Sequence, residues 1–108
     1  MPKVLVSDKL AQEGVDILKQ VAEVDVKTGL PEDELCKIIG EYDALVIRSG
    51  TQVTAKVLQA AKKLRIIGRA GVGVDNVDVP VATEQGVIVV NSPGGNTIAA
   101  AELTVAML

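Results

Sequence analysis

This sequence is notable first for the residue types that it lacks. It has no histidine, no tryptophan and no phenylalanine, and Tyr42 is its only aromatic residue. Without histidine, these residues cannot complete a mechanism that needs an imidazole base or an imidazole metal ligand. Stacking of nucleic-acid bases or of a flavin ring needs aromatic faces, and only one is present. The composition therefore argues against these functions.

Cysteine, basic clusters and long apolar runs are also scarce. The single cysteine, Cys36, cannot form an internal disulfide, and its apolar-periodic surroundings predict a buried small side chain. The net charge is −3 and no basic cluster exceeds Lys62-Lys63, which argues against a nucleic-acid partner. No apolar run reaches the roughly 18 residues of a membrane span, and no signal peptide is recognisable. We therefore expect a cytoplasmic protein with no membrane partner.

Short aliphatic runs alternate along the chain with segments of helical periodicity. The aliphatic runs predict strands near residues 3–7, 23–27, 44–47, 64–68 and 87–90. Continuous Val, Leu and Ile runs are typical of buried parallel strands. The helix caps predicted from the sequence are Asp8, Thr54, Asp78, and Asn96 or Thr97. We therefore predict an α/β, flavodoxin-like fold, a doubly wound five-stranded parallel sheet in the order 2-1-3-4-5, as a single domain.

The last predicted helix, residues 98–108, is apolar up to its final residue. It has neither a glycine nor a lysine at its C-terminus, although helices commonly end with such residues. Leu103 and Met107 on this helix would be exposed to water if nothing covered them, and exposed apolar patches tend to be buried by association. We therefore expect a helix that is cut short, and a tendency of the chain to form a homodimer through this helix or to swap it.

Polar residues and glycines follow the predicted strands. Arg48 and Ser49 follow the third strand, and Arg69 begins a glycine-rich turn after the fourth. A second glycine-rich turn and a helix N-terminus at Asn96 follow the fifth. Ligands bind beyond the carboxyl ends of strands in open parallel sheets, and arginines, exposed backbone N–H groups and helix N-termini bind phosphate and carboxylate. We therefore predict a site for a small, multiply charged anion.

Each feature also has a purely structural interpretation. Arg48 and Arg69 could be ordinary surface arginines. Gly71 and Gly73 could serve tight turns only, and Asn96 could be only a helix cap. A dinucleotide site is not predicted, because the third glycine of the fingerprint is replaced by Asn76 and the motif follows the fourth strand instead of the first.

Several segments together resemble the D-3-phosphoglycerate dehydrogenases, a branch of the D-2-hydroxyacid dehydrogenase superfamily. They are residues 4–8, 46–49, 68–78, 86–93 and 96–102. The Gly-Arg-Ala-Gly-x-Gly-x-Asp-Asn motif is specific to this branch, and the resemblance covers essentially the whole chain. It implies the substrate-side part of an NAD enzyme that oxidises 3-phosphoglycerate to 3-phosphohydroxypyruvate, the first step of serine synthesis.

The resemblance also implies roles for particular residues. Arg48 and Ser49 match residues that hold the phosphate end of the substrate, and Arg69 matches a nearby basic contact. Backbone N–H groups in the glycine-rich turn match the carboxylate cradle, and an asparagine matches one that lines the active-site cleft. The full set of expected substrate-binding residues is Arg48, Ser49, Arg69, Val72, Gly73, Val74 and Asn96.

The family's cofactor loop and its catalytic Arg, Glu and His are absent from this sequence. We expect residues 1–96 to form the substrate-binding domain and residues 97–108 to begin the inter-domain helix, with the dinucleotide-binding domain absent. Hydride transfer needs a nicotinamide placed against the carbinol carbon and a base for the hydroxyl proton. We therefore expect no catalytic, cofactor-binding or metal-binding residues in this chain, no turnover by it alone, and the cofactor domain as its partner.

Two other functions remain to be compared with this one. A stand-alone flavodoxin-like module could bind a small anion of its own, although no residues suited to a flavin are present. A phosphoacceptor receiver domain needs an acidic cluster, an Asp and a Lys at three strand ends. Those ends are Ser7-Asp8, Arg48-Ser49 and Asn91-Ser92, which argues against a receiver.

Overall fold

The computed structural model describes residues 1–71, 76–92 and 96–108. Strands and helices alternate along this part of the chain, and a short 3-10 turn, Ile39–Glu41, follows the second helix. The elements in chain order are β1 (Lys3–Val6), α1 (Gln12–Lys19), β2 (Glu23–Val26), α2 (Glu32–Ile38), β3 (Ala44–Ile47), α3 (Ala55–Ala60), β4 (Ile66–Ala70), α4 (Val79–Glu84), β5 (Ile88–Ser92) and α5 (Thr97–Met107).

The strands form one parallel sheet in the order β2-β1-β3-β4-β5, which confirms the predicted fold and strand order. Parallel neighbours cannot be joined by a tight turn, so each connection crosses over through a helix. In the register of the sheet, Ile47 pairs with Arg69, and Arg69 pairs with Asn91. The carboxyl ends of β3, β4 and β5 therefore meet at one edge.

Both faces of the sheet are covered by helices. Successive side chains on a strand point to opposite faces, so the continuous apolar runs of the central strands supply both layers. Cys36, predicted to be buried, packs against the first layer but stays partly exposed. The first layer, beneath α2, α3 and α4, includes Leu5, Leu45, Ile47, Ile67, Leu35, Val57 and Leu58; the second, beneath α1 and α5, includes Val4, Val6, Val46, Ile66, Leu18 and Ala101.

Helix α5 lies close to the sheet because Gly68 in β4 has no side chain. A Cβ atom at Gly68 would overlap Oγ1 of Thr104, which is fully buried and donates a hydrogen bond to the carbonyl of Ala100 at 2.8 Å. The predicted cap is confirmed, since Oδ1 of Asn96 accepts from the N–H of Ala99 at 3.0 Å. The first part of the expected inter-domain helix therefore also covers one face of this sheet.

The outer side of α5 is partly open to solvent. Ile98, Leu103 and Met107 are 39%, 41% and 43% exposed, so the predicted exposure of Leu103 and Met107 is confirmed. Within the described ranges, no helix combines the length and apolar character that crossing a membrane requires.

The single aromatic side chain fastens the edge strand β2. The hydroxyl group of buried Tyr42 donates a hydrogen bond to Oδ2 of Asp25 at 2.6 Å, and Nζ of Lys3 lies 5.4 Å from the ring centroid. Burial, and then the hydrogen bond to the Asp25 carboxylate, raise the pKa of Tyr42 above its ordinary value. The neutral phenol is therefore the form that this packing stabilises.

The contact between Gly68 and Thr104 leads to a test of the α5 packing. We expect Gly68→Ala to lower the free energy of unfolding by about 2 kcal/mol, because the added methyl group overpacks the interface. Thr104→Ala removes the obstructing hydroxyl, so the double variant should recover most of that loss. Chemical denaturation of the two single variants and the double variant measures both effects. An equal cost of Gly68→Ala with and without Thr104 would show that the helix does not lie as described.

Candidate anion-binding site

The carboxyl edge of the sheet carries the predicted site residues that the structure describes. Arg48 and Ser49 directly follow β3, and both are exposed. Arg69 lies within β4 and is only 5% exposed, so it is not an ordinary surface arginine. Asn96 is exposed at the start of α5. The remaining predicted residues, Val72, Gly73 and Val74, lie outside the described residues.

Asn76 connects Arg69 with the loop that follows β3. Its Oδ1 accepts a hydrogen bond from Nε of Arg69 at 2.5 Å. Its Nδ2 donates to the carbonyl groups of Arg48 and Thr51, each at 2.7 Å. Both N–H protons of the carboxamide and its oxygen are therefore engaged, and the side chain is only 7% exposed. This one side chain therefore connects the backbone of Arg48 with the guanidinium group of Arg69.

The guanidinium group of Arg69 lies against the backbone of Gly71. A Cβ atom at Gly71 would stand 2.7 Å from Nη1 of Arg69, so a larger residue would displace the arginine. The N–H of Gly71 donates to the carbonyl of Ser92 at 3.0 Å, which ties the start of the glycine-rich turn to the end of β5. This glycine therefore has a packing role beyond the formation of a turn.

Asp8 holds the opposite side of the same loop. Its Oδ2 accepts from the N–H of Arg48 at 2.8 Å and from the N–H of Thr51 at 3.0 Å. The hydroxyl groups of Ser7 and Thr51 are 2.8 Å apart and share a hydrogen bond. The backbone of Arg48 and of Thr51 is thus held on two sides. The Asp8 carboxylate accepts from their N–H groups, and the Asn76 carboxamide donates to their carbonyl groups.

The prediction that Asp8 caps the first helix is wrong. Helix α1 begins only at Gln12, and Ala11 precedes it without any side-chain cap. Asp8 bonds elsewhere because β1 and β3 are neighbours in the sheet, which places the amides after β3 beside the end of β1. The caps predicted at Thr54 and Asp78 are confirmed, since each accepts from the N–H three residues later.

Sequence reasoning missed the roles of Asp8 and Asn76. In the sequence, Asn76 stands out only as the residue that breaks a dinucleotide fingerprint and as the last residue of the family motif. The signal that could have found both was their position, since each lies near the end of a strand on one edge of the sheet. An asparagine there has donors and an acceptor for loop backbone and for a buried cation.

The described residues at this end of the sheet include groups of the kind that bind anions. Two arginines from adjacent strands stand at one edge, and guanidinium groups form paired hydrogen bonds to phosphate and carboxylate. The nearby carboxylate of Asp8 is already held by two backbone N–H groups. In the described part of the chain, no group of three or more His, Cys, Asp or Glu residues could hold a metal ion.

Of two grooves on the surface, one lies beside the two arginines' end of the sheet and the other lies away from it. One of about 300 Å³ is bordered by Gln52 and Asn76 and adjoins the 48–51 loop. Another, of about 430 Å³, lies between Gln59 and Gln85, away from both arginines. We place the site by its charges and donors and not by depth, because anion recognition depends on positioned cations and N–H groups.

Comparison with known proteins identifies relatives along the whole chain. The family model described as D-isomer specific 2-hydroxyacid dehydrogenase, catalytic domain, matches residues 4–106. D-3-phosphoglycerate dehydrogenases of Synechocystis and Methanocaldococcus jannaschii are 67% and 53% identical over 108 residues, which are 100% of this chain but 20% and 21% of the relatives. The chain therefore spans about a fifth of the length of these curated relatives.

Solved structures agree with this match. A Pyrococcus horikoshii protein is 33% identical with a TM-score of 0.84, over 87% of this chain and 28% of that one. NAD⁺-bound 3-phosphoglycerate dehydrogenase of Entamoeba histolytica is 25% identical with a TM-score of 0.76, over 86% of this chain and 33% of that one. In both comparisons, the described fold matches only a part of the other protein's chain.

The hydrogen bonds from the N–H groups of Arg48 and Thr51 to Asp8 can be tested by mutation. We expect Asp8→Ala to increase amide hydrogen exchange at Arg48 and Thr51 by about tenfold or more, because hydrogen bonds to a charged group contribute roughly 1.5–3 kcal/mol. Asp16→Ala is the matched control, since Asp16 accepts only an exposed bond from Gln12 on α1. Unchanged protection at Arg48 and Thr51 would show that Asp8 does not hold the loop.

Proposed function

This chain belongs to the D-isomer specific 2-hydroxyacid dehydrogenase family, since it matches the model of the catalytic domain of that family. We propose that it is the substrate-binding domain of an NAD-dependent D-3-phosphoglycerate dehydrogenase. The parent enzyme would oxidise 3-phosphoglycerate to 3-phosphohydroxypyruvate in L-serine biosynthesis, in the cytoplasm. The names of the relatives at 53% identity and above support this substrate.

The observation that carries the proposal is the connection of Arg48 to Arg69 through Asn76. It fixes the backbone of the exposed Arg48 relative to the buried guanidinium group of Arg69. Both lie at the carboxyl ends of the strands, where parallel sheets bind ligands. In the proposed complex, Arg48 and Ser49 hold the phosphate group and Arg69 provides a second basic contact. The remaining proposed contacts are backbone N–H groups at Val72, Gly73 and Val74, and the side chain of Asn96.

The residues of this chain do not fit a dinucleotide. The segment between β1 and α1 contains no glycine, and the carboxylate of Asp8 lies there, where a pyrophosphate would need free N–H donors. We infer that NAD and the catalytic base are bound by a separate cofactor domain, and that this chain alone does not catalyse the reaction. Residues 1–96 would form the substrate side, and residues 97–108 would begin the helix that leads to that domain.

The substrate proposal is tested by a two-dimensional amide NMR titration of this chain with 3-phosphoglycerate. We expect shifts at Arg48, Ser49, Arg69 and Asn96. Arg48→Gln should weaken binding by about tenfold, because it replaces a charged phosphate donor with a neutral one. Arg65→Gln is the matched control, since Arg65 is an exposed arginine just before β4, at the other end of the strand.

Two results would count against this function. Equal weakening by Arg48→Gln and Arg65→Gln would indicate attraction by overall charge and not by a site. Tighter binding of another small anion than of 3-phosphoglycerate would favour a stand-alone anion-binding module. D-Glycerate, which lacks the phosphate group, is the ligand control and should bind more weakly.

We further propose that the chain forms a homodimer through the exposed side of α5. Exposed apolar side chains favour association, and Leu103 and Met107 lie on this side. Light scattering at high concentration should therefore show a dimer that Leu103→Glu reduces to a monomer. Val26→Glu, which changes an exposed apolar residue on β2, away from α5, should leave the dimer intact. A strict monomer at every concentration would contradict this proposal.

A further inference from the structure

We propose that Asn76 is a positioning residue, which holds Arg69 and the 48–51 loop in the arrangement that binds the anionic substrate. The inference rests on the proposed function, because it concerns the same site. Asn76 would touch neither the reacting atoms nor the cofactor, and it would act through Arg69 and through the backbone of Arg48, which it connects.

The carboxamide of Asn76 uses its oxygen and both of its N–H groups in hydrogen bonds. Asn76 accepts from Nε of Arg69 and donates to the carbonyl groups of Arg48 and Thr51. Arg69 and Asn76 are both more than nine-tenths buried. Water cannot readily replace a lost partner in such a place, so each of these bonds holds its group firmly.

The 48–51 loop is held by two side chains, Asp8 and Asn76. Arg48 and Thr51 have their N–H groups held by Asp8 and their carbonyl groups held by Asn76. Ser49 and Gly50 therefore lie between two residues whose backbone is fixed on both sides. The side chain of Arg48 is exposed, yet it projects from a backbone that cannot turn freely, which lowers the ordering cost of binding an anion.

The three bonds at position 76 require both the acceptor and the two donors of a carboxamide. An aspartate would keep the acceptor for Arg69, but it would lose both donors and face two carbonyl oxygens. A glycine, as in a dinucleotide fingerprint, would lose all three bonds. A leucine has a similar size and would leave Nε of Arg69 and two carbonyl groups without this partner.

The test compares Asn76→Leu with Gln85→Leu in this chain. Gln85 is the matched control, because its side-chain amide also donates to a backbone carbonyl, that of Leu58 at 2.7 Å, away from the arginines. Affinities for 3-phosphoglycerate and for inorganic phosphate are measured by NMR titration at a temperature where both variants are folded. We expect Asn76→Leu to weaken both by about tenfold, and Gln85→Leu to leave both unchanged.

A spectroscopic signature separates positioning from general loss of stability. In the wild-type chain the Nε–H proton of Arg69 should exchange slowly, and in Asn76→Leu it should exchange fast even where the rest of the spectrum is unchanged. If Asn76→Leu does not fold, Asn76→Asp replaces it. That variant should keep the Arg69 Nε–H protected while amide exchange in the 48–51 loop increases, and unchanged exchange in the loop would overturn the inference.

The outcomes distinguish this inference from the proposed function. Wild-type affinities in folded Asn76→Leu would overturn the positioning role and leave the proposed substrate in place. Binding of inorganic phosphate that depends on Asn76, without binding of 3-phosphoglycerate, would support the positioning role and remove the proposed substrate. A wild-type chain that binds neither anion would overturn the inference that Asn76 prepares a site, while turnover by the full-length enzyme would still decide the function.

Discussion

A parallel sheet whose two faces are both apolar must be covered on both sides, and the rest of this structure follows from that constraint. Three helices cover one face, and α1 and α5 cover the other. The close approach of α5 to β4 depends on the missing side chain at Gly68, against which Thr104 packs. Because the faces of the central strands are occupied by packing, polar side chains that follow these strands collect at the edges, where the backbone leaves the sheet.

Burial of Arg69 at that edge sets the next requirement. A guanidinium group that is 5% exposed needs hydrogen-bond partners, and Asn76 supplies one to its Nε. The same carboxamide then has two N–H groups to satisfy, and the carbonyl groups of the 48–51 loop satisfy them. The buried charge of Arg69 is thus linked through Asn76 to the backbone of the 48–51 loop. Asp8, which follows the adjacent strand β1, holds the same loop through two further bonds.

The sequence was sufficient to predict those features that depend on local patterns. Apolar runs marked the strands, and Thr54, Asp78 and Asn96 marked helix starts that the structure confirms. The local capping rule fails at Asp8, because non-local partners are available to its carboxylate. Its bonds span 40 or more residues along the chain, and no periodicity or spacing encodes such a partner. The role of Asn76 was hidden for the same reason.

The order of this edge also bears on how a substrate domain can work with a separate cofactor domain. A charged substrate that must meet a hydride acceptor and a base from another domain gains most from a half-site that is already ordered, because the remaining ordering cost then falls on domain closure alone. Bonds from Asp8 and Asn76 to loop backbone leave the Arg48 side chain exposed for a ligand. Under the proposed function, a held backbone beneath an exposed arginine would lower that ordering cost, and the bonds of Asp8 and Asn76 hold the backbone here.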